Sequence, residues 1–424
     1  MVVLTRHAIL ALLLVLCMAV QQETRAAAGT GLCGKERNPG LRALDESAWR
    51  QLSAIYDLVV REQYNEALAE LQGMLGRAGR DVYLQAILEQ ALAQVEWSRE
   101  NFDQALGHLE KAVELDALPN GEHFALMYQI AQLYFAAGRF RDALDRLDLW
   151  FCTSPPEKIT AASFALKAAI LVQLKNNREA LVAIEQAIMR EPEPQESWYQ
   201  LELAAHFALE QYPQAASTLE ALIVGWPGKK MYWTQLSQTY FNLKQNEKAL
   251  AVASLAYRLG LMDTQSDLLY LSSLYANADI PYKAAAVLQN GIENRQLEAS
   301  AGNWTRVADS WYAAGEQEKA LAAYERAGVA AGNGEIDLRR AYILVDMERW
   351  QAARDALDAA LDKSGFEEGK LGEAYLLHGM VEFNLGNLDR AGSDWAEASR
   401  FPRTRDAAQQ WINHLREVRK RRAS

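Results

Sequence analysis

FALMYQIAQLYFAAGRFRDALDRLDLWFCTSPP, residues 124–156, is the stretch that decides the fold of this chain. Its first half predicts an amphipathic helix, because apolar residues recur at the i, i+3, i+4, i+7 spacing of one buried face: Met127, Ile130, Ala131 and Tyr134. Its second half predicts another helix, whose buried face carries Phe140, Ala143, Leu144, Leu147 and Trp150. Gly138 suits the turn between them, since glycine accepts the positive φ that often ends a helix. One helix pair cannot bury both faces and therefore needs neighbours of the same kind.

The pattern recurs along the chain, in phase with an alanine that follows the turn. These anchor alanines are Ala67, Ala105, Ala143, Ala180, Ala215, Ala249, Ala284, Ala320, Ala353 and Ala391. An aromatic residue stands sixteen positions earlier in several copies, namely Phe164, Trp233, Trp304 and Tyr375. The pattern resembles the tetratricopeptide repeat, whose period is about 34 residues. It predicts an all-α fold, a right-handed α-solenoid of about ten helix pairs over residues 47–403.

The two ends of the chain differ from the repeats. Residues 404–424 predict a C-terminal capping helix with a basic tail, whose apolar stripe includes Ala408, Trp411 and Leu415. At the other end, Arg6 precedes an apolar run over residues 8–20, which is too short to span a bilayer. With the small residues at 26–28, this predicts a signal peptide over residues 1–28 and a secreted protein. Residues 29–46 are expected to form a flexible mature N-terminus.

The cysteines left after cleavage of that signal peptide are Cys33 and Cys152. Secreted proteins meet an oxidising environment, so a disulfide between the two is one interpretation. The other interpretation is one buried and one solvated thiol.

Charge is distributed unevenly along the chain. The formal net charge is −11, yet residues 400–424 carry eight Arg or Lys against Asp406 and Glu417. One interpretation is a solvated acidic surface ending in a basic helix terminus, which the helix dipole favours. The other is an acidic array that prefers a basic partner segment, with a tail able to touch anionic surfaces. A chain this acidic is a poor ligand for nucleic acid.

No motif in the sequence points to catalysis, a cofactor or a metal. The six histidines show no metal-binding spacing, and there is no phosphate-binding loop or nucleophile elbow. We therefore expect no enzyme activity, no cofactor and no metal.

The face that remains for a ligand is the exposed side of the first helix of each pair. By repeat phase, the residues expected to bind a peptide there are Tyr128, Gln132, Phe135, Gln238, Phe241, Asn242, Asn277, Asp309, Tyr312 and Asn384. Three asparagines share one phase position, where an amide can bond both the N–H and the C=O of an extended peptide. Exposed aromatics beside them would be apolar anchors. The alternative is an ordinary polar surface with no fixed ligand.

Segments MYWTQL at 231–236, IPYKAA at 280–285 and VLQNG at 287–291 carry a further resemblance, together with the Trp411 helix. They are similar to the secreted tetratricopeptide proteins encoded beside TonB, ExbB and ExbD in Gram-negative bacteria. The resemblance implies a periplasmic scaffold, accessory to TonB-dependent outer-membrane nutrient import, that holds an extended basic peptide of TonB, ExbB or ExbD. A scaffold for envelope or exopolysaccharide assembly, and an enzyme with an unrecognised site, stay open as alternatives.

Overall fold

The computed structural model describes residues 29–30, 36–40, 42–363 and 365–423. The signal peptide predicted over residues 1–28 and the predicted partner cysteine, Cys33, lie outside this part. The chain divides into two units, Met1–Gln211 and Tyr212–Ser424.

Unit 1 is built from helices that follow one short antiparallel strand pair. The strands are β1 (Gly29–Thr30) and β2 (Glu36–Arg37). The helices are α1 (Glu46–Val60), α2 (Tyr64–Arg77), α3 (Val82–Ser98), α4 (Phe102–Glu114), α5 (Asn120–Ala136), α6 (Phe140–Thr153), α7 (Ala161–Gln173), α8 (Asn177–Arg190) and α9 (Glu196–Ala208). A short 3₁₀ turn, Pro156–Lys158, precedes α7.

Unit 2 is all-helical over the residues that the structure describes there. Its helices are α10 (Tyr212–Gly225), α11 (Lys230–Asn242), α12 (Asn246–Arg258), α13 (Gln265–Asn277), α14 (Pro281–Glu293), α15 (Ala301–Ala313), α16 (Gln317–Ala330), α17 (Glu335–Asp346), α18 (Trp350–Lys363), α19 (Glu368–Asn384), α20 (Leu388–Ala398) and α21 (Arg405–Ala423). Within each unit, successive helices pack against one another as helix pairs and then pair on pair. The predicted α-solenoid class is confirmed.

The turn inside every repeat has the same backbone geometry. Five residues before each anchor alanine, one residue adopts a positive φ of 55° to 86°: Glu62, Glu100, Gly138, Lys175, Glu210, Lys244, Asp279, Gly315, Glu348 and Gly386. The next residue donates its N–H back to the end of the first helix, as Arg139 does to the Tyr134 carbonyl at 2.9 Å. This bond is typical of the helix C-terminus called a Schellman motif. The second helix then begins three residues before the alanine, so one turn type sets the phase of all ten repeats.

The anchor alanines lie in the core. All ten are at most 1 % exposed. A small side chain there lets the two helix backbones of a pair approach closely, and larger apolar residues fill the space on either side. Trp233 and Trp304, predicted to pack inside, are 6 % and 7 % exposed.

Helix α21 closes unit 2 through its apolar stripe. Ala408 and Leu415 are buried, and the Trp411 ring stacks on the buried Trp395 ring with 5.1 Å between centroids and 18° between planes. Arg419 forms an ion pair with Asp389. This is the predicted capping helix.

The N-terminal segment contacts the array rather than standing apart from it. The Arg37 guanidinium bonds the Asp116 carboxylate and, at 2.8 Å, the side-chain oxygen of Asn120. Asn120 donates back to the Arg37 carbonyl at 3.2 Å. Arg37 is thereby attached to the start of α5, and the flexibility predicted for residues 29–46 stays a prediction.

Cys152, near the end of α6, is disulfide-bonded. No described helix combines the length and apolar character that a bilayer crossing needs.

Candidate functional site

The predicted ligand-facing residues of unit 2 lie on the first helices of their repeats. We call this set the first-helix face: Gln238, Phe241, Asn242, Asn277, Asp309, Tyr312 and Asn384. In α11, the side chains of Trp233, Leu236 and Tyr240 turn into the core. Because residues of one helix face recur every three to four positions, Gln238 and Asn242 turn the other way and are exposed.

The three asparagines share a structural position. Asn242, Asn277 and Asn384 are the last residues of α11, α13 and α19, directly before the turn, and all are exposed. The amide of Asn384 donates to the Met380 carbonyl of its own helix at 2.8 Å. Asn242 and Asn277 make no side-chain hydrogen bond within the described part of the chain, so their amides can meet a ligand.

Two aromatic residues accompany the amides. Tyr312 is 46 % exposed at the end of α15, whereas Phe241 is half-buried beside Asn242. Aromatic side chains are among the residues that contribute most to the binding energy of interfaces.

Asp309 already has partners. Its carboxylate accepts a hydrogen bond from the Tyr324 hydroxyl and lies 3.4 Å from Arg339 Nη1. Burial and the Asp309 carboxylate both raise the pKa of Tyr324, so the phenol stays protonated and keeps donating. Asp309 therefore joins α15 to α16 and α17, and only part of its charge is open to a ligand.

The charge of this face is uneven. Helices α11, α13 and α15 carry two basic and two acidic residues and have no formal net charge: Lys230, Arg306, Asp267 and Asp309. Lys230 Nζ lies 2.5 Å from Asp267 and 3.0 Å from Asp263. Although burial opposes it, hydrogen bonds from Lys230 and Thr264 hold the pKa of Asp267 below its usual value. The part of the first-helix face that lies on α11, α13 and α15 is thus rich in amides and carries no formal net charge, whereas α19 carries three Glu against one Lys.

The three predicted residues of unit 1 lie on α5 and are engaged differently. The Tyr128 ring packs on Trp150 with 4.9 Å between centroids, and burial raises the pKa of Tyr128. Phe135 packs on Phe140 at 5.7 Å. Gln132 is exposed. Packing inside unit 1 therefore accounts for most of the surface of the two aromatic rings.

Sequence reasoning missed two grooves between the second helices of unit 2. The first has a volume of about 310 Å³ and lies between α12 and the α13–α14 pair. The second, of about 340 Å³, lies between α14 and the α15–α16 pair. The sequence does contain one indication of these grooves. A lysine directly precedes three successive anchor alanines: Lys248, Lys283 and Lys319.

Over the described residues, no three His, Cys, Asp or Glu side chains come together in a way that could hold a metal ion.

Comparison with known proteins finds a matching repeat in two segments of the chain. The sequence model of the tetratricopeptide repeat matches residues 91–150 and 338–408. Both segments fall in the repeat phase set by the anchor alanines. No curated protein is similar enough to the chain to count as a relative.

Solved structures that are similar to the chain share low sequence identity with it. A tetratricopeptide repeat protein from Parabacteroides merdae ATCC 43184 is 14 % identical, with 68 % of this chain and 94 % of that chain covered and a TM-score of 0.35. YrrB, described as a tetratricopeptide protein with an unusual peptide-binding site, is 20 % identical, with 40 % and 83 % covered and a TM-score of 0.33. The Cut9-Hcn1 hetero-tetramer of the APC/C matches at 13 % identity, with 88 % and 84 % covered and a TM-score of 0.28.

Proposed function

We propose that this chain is a periplasmic scaffold that binds a partner protein through the first-helix face of unit 2. The observation that carries the proposal is the pair of exposed amides on Asn242 and Asn277. They recur at one repeat position and have no hydrogen-bond partner within the described residues. Polar side chains without an internal role, placed at regular intervals on rigid helices, suit a ligand that repeats as regularly as they do.

An extended polypeptide is such a ligand. Each asparagine amide can donate to a backbone C=O and accept from a backbone N–H. Tyr312 and Phe241 offer rings against which an apolar or proline side chain can pack. A segment that is already extended as polyproline II loses little conformational entropy when it binds.

The partner that we propose is the extended periplasmic linker of a TonB-type protein. The support is the resemblance of residues 231–236, 280–285 and 287–291 to the tetratricopeptide proteins encoded beside TonB, ExbB and ExbD. On this proposal the chain is an accessory of TonB-dependent nutrient import. Because α11, α13 and α15 have no net charge, the lysines of such a linker contribute little at this face. The affinity should therefore depend on amide bonds and ring contacts and should vary little with salt.

The periplasmic location is part of the proposal. It is supported by the apolar run at residues 8–20 and by the disulfide bond of Cys152, since disulfides persist in oxidising compartments.

Isothermal titration of a synthetic TonB linker peptide tests the binding proposal. The variant Asn242→Ala/Asn277→Ala should bind about 30-fold more weakly than the wild type, because each of the two lost hydrogen bonds is worth about 1 kcal/mol. The matched control is Asn246→Ala/Asn294→Ala, which removes two exposed asparagines at the ends of second helices in the same unit. The control should keep wild-type affinity.

The possible results separate the partner from the site. If the wild type does not bind the linker at any salt concentration, the TonB partner is wrong. If it binds and both double variants bind equally well, the first-helix face is not the site.

A further inference from the structure

The two grooves on the second helices are built from equivalent residues. The first is lined by Ala251, Ser254 and Leu255 of α12, and the second by their repeat equivalents in α14, which are Ala286, Gln289 and Asn290. The facing repeat contributes Tyr275 and Lys283 to the first groove and Trp311 and Lys319 to the second. The same construction thus occurs twice in succession within unit 2.

Each groove has a rigid aromatic floor. Tyr275 and Trp311 are 8 % and 4 % exposed. The Ser254 hydroxyl donates to the Tyr275 hydroxyl at 2.9 Å, and Trp311 Nε1 donates to the side-chain oxygen of Gln289, also at 2.9 Å. These bonds fix each ring to the preceding repeat, so the floors are preorganised for a ligand.

Cations cover the aromatic rings. Lys283 Nζ lies 5.6 Å from the Tyr275 ring centroid. Lys319 Nζ lies 4.5 Å from the Trp311 ring and 4.9 Å from the half-exposed Tyr282 ring. In the second groove, the Arg326 guanidinium lies 4.7 Å from the Trp304 ring. Attraction to the rings holds these cations over the grooves.

Every charged residue that lines the two grooves is basic: Arg258, Lys283, Lys319 and Arg326. Lys319 has a carboxylate partner, since its ammonium lies 3.1 Å from Glu316. Arg258, Lys283 and Arg326 form no ion pair within the described part of the chain. A groove lining whose charged residues are all basic is unexpected in a chain whose formal net charge is −11, because carboxylates are the commoner charged groups.

We infer that these two grooves bind an acidic segment of a partner protein. Carboxylates of that segment would pair with Arg258 and Lys283 in the first groove and with Lys319 and Arg326 in the second. Apolar side chains between those carboxylates would contact Leu255 and Tyr282, which are 47 % and 50 % exposed beside the grooves. This surface shares no residue with the first-helix face, and the inference does not depend on the proposed linker binding.

Selection of a random peptide library on the full-length mature protein tests the inference. Peptides rich in Asp and Glu with interspersed apolar residues should be enriched over the input library. The groove variant Lys283→Gln/Arg326→Gln should bind an enriched acidic peptide roughly tenfold more weakly in fluorescence anisotropy, because each exposed ion pair is worth up to about 1 kcal/mol. The wild-type affinity should fall as salt is raised.

The control variant is Lys244→Gln/Arg295→Gln, which removes the same charge from two exposed turns of unit 2. It should keep wild-type affinity, and thermal melting should show that both variants are folded. Failure to enrich acidic peptides would overturn the inference, as would equal weakening by the groove and control variants. Self-association of the wild type that the groove variant loses would also overturn it, because the occupant would then be a second copy of the chain.

Discussion

Replacing Gly379 in α19 with alanine tests the packing of the last repeat. A Cβ atom at this position would lie 2.5 Å from Nε1 and 2.6 Å from Cδ1 of the Trp395 ring, far inside van der Waals contact. The ring cannot yield easily. It is fully buried, its Nε1 donates to the Leu376 carbonyl at 3.2 Å, and its face stacks on Trp411 of the capping helix.

Two opposing effects set the magnitude. Overpacking a well-filled core costs about 1–3 kcal/mol. Alanine in place of glycine inside a helix gains about 1 kcal/mol. We therefore expect Gly379→Ala to lower the free energy of unfolding by up to roughly 2 kcal/mol. The loss should be concentrated at α21, because displacement of Trp395 disturbs the surface on which that helix docks.

Gly107→Ala in α4 is the matched control. Gly107 is also a helical glycine, but a Cβ atom there would meet nothing within 4 Å. This variant should be more stable than the wild type by up to about 1 kcal/mol, so the same substitution should act in opposite directions at the two sites.

Urea unfolding gives the stabilities of the variants, and hydrogen exchange measured by mass spectrometry locates the change. Amides of α21 should exchange faster in Gly379→Ala and at the wild-type rate in Gly107→Ala. If Gly379→Ala is as stable as the wild type and α21 stays protected, the Trp395 ring is free to move and the reasoning fails.

Two further predictions concern unit 1 and the N-terminus. Burial lowers the pKa of His123 to about 4, and the positive charge of Arg37 is the second cause of this shift. The folded state therefore binds a proton less readily than the unfolded chain. The free energy of unfolding should then fall by up to about 3 kcal/mol as the pH drops from 6.5, the ordinary histidine pKa, to 4. Urea unfolding at pH 6.5 and pH 4 should show a smaller loss of stability for His123→Gln than for the wild type. Equal losses would contradict the lowered pKa of His123. The location proposal predicts that protein from an osmotic-shock fraction begins at Ala27 or Gly29 when sequenced, whereas an intact Met1 in cytosolic protein would contradict it.

The repeat phase was predictable because it rests on local chemistry. One stretch of about 34 residues contains all the features that define the phase. These are a small residue at the anchor, apolar residues at neighbouring positions and a turn five residues before the anchor. What the sequence concealed was the turn itself. The positive φ is predictable from a glycine only at Gly138, Gly315 and Gly386, while Glu, Lys or Asp adopts it in the other seven repeats. Tertiary contacts of the helix pair outweigh the backbone preference of those residues.

The first-helix face was predictable in its exposure but not in its charge. Periodicity alone turns Gln238, Asn242 and Asn277 outward, and they are exposed. Periodicity cannot show that Asp309 bonds Tyr324 and lies beside Arg339, since that contact depends on how α15, α16 and α17 pack. The net charge of the whole chain likewise does not predict the charge of one surface, because the charge of a surface depends on which helices form it.

The sequence by itself determined the helix pairs, the buried anchors and the capping helix, because each depends on residues close together in the chain. Tertiary structure alone decided the two basic grooves of unit 2. Lys283 is in the same repeat as Tyr275, but the Ser254 that fixes that ring belongs to the preceding repeat, and so does Arg258 on the opposite wall. A surface shared by two repeats exists only when one repeat packs on the next, and that packing, not the pattern within one repeat, sets which residues face each other.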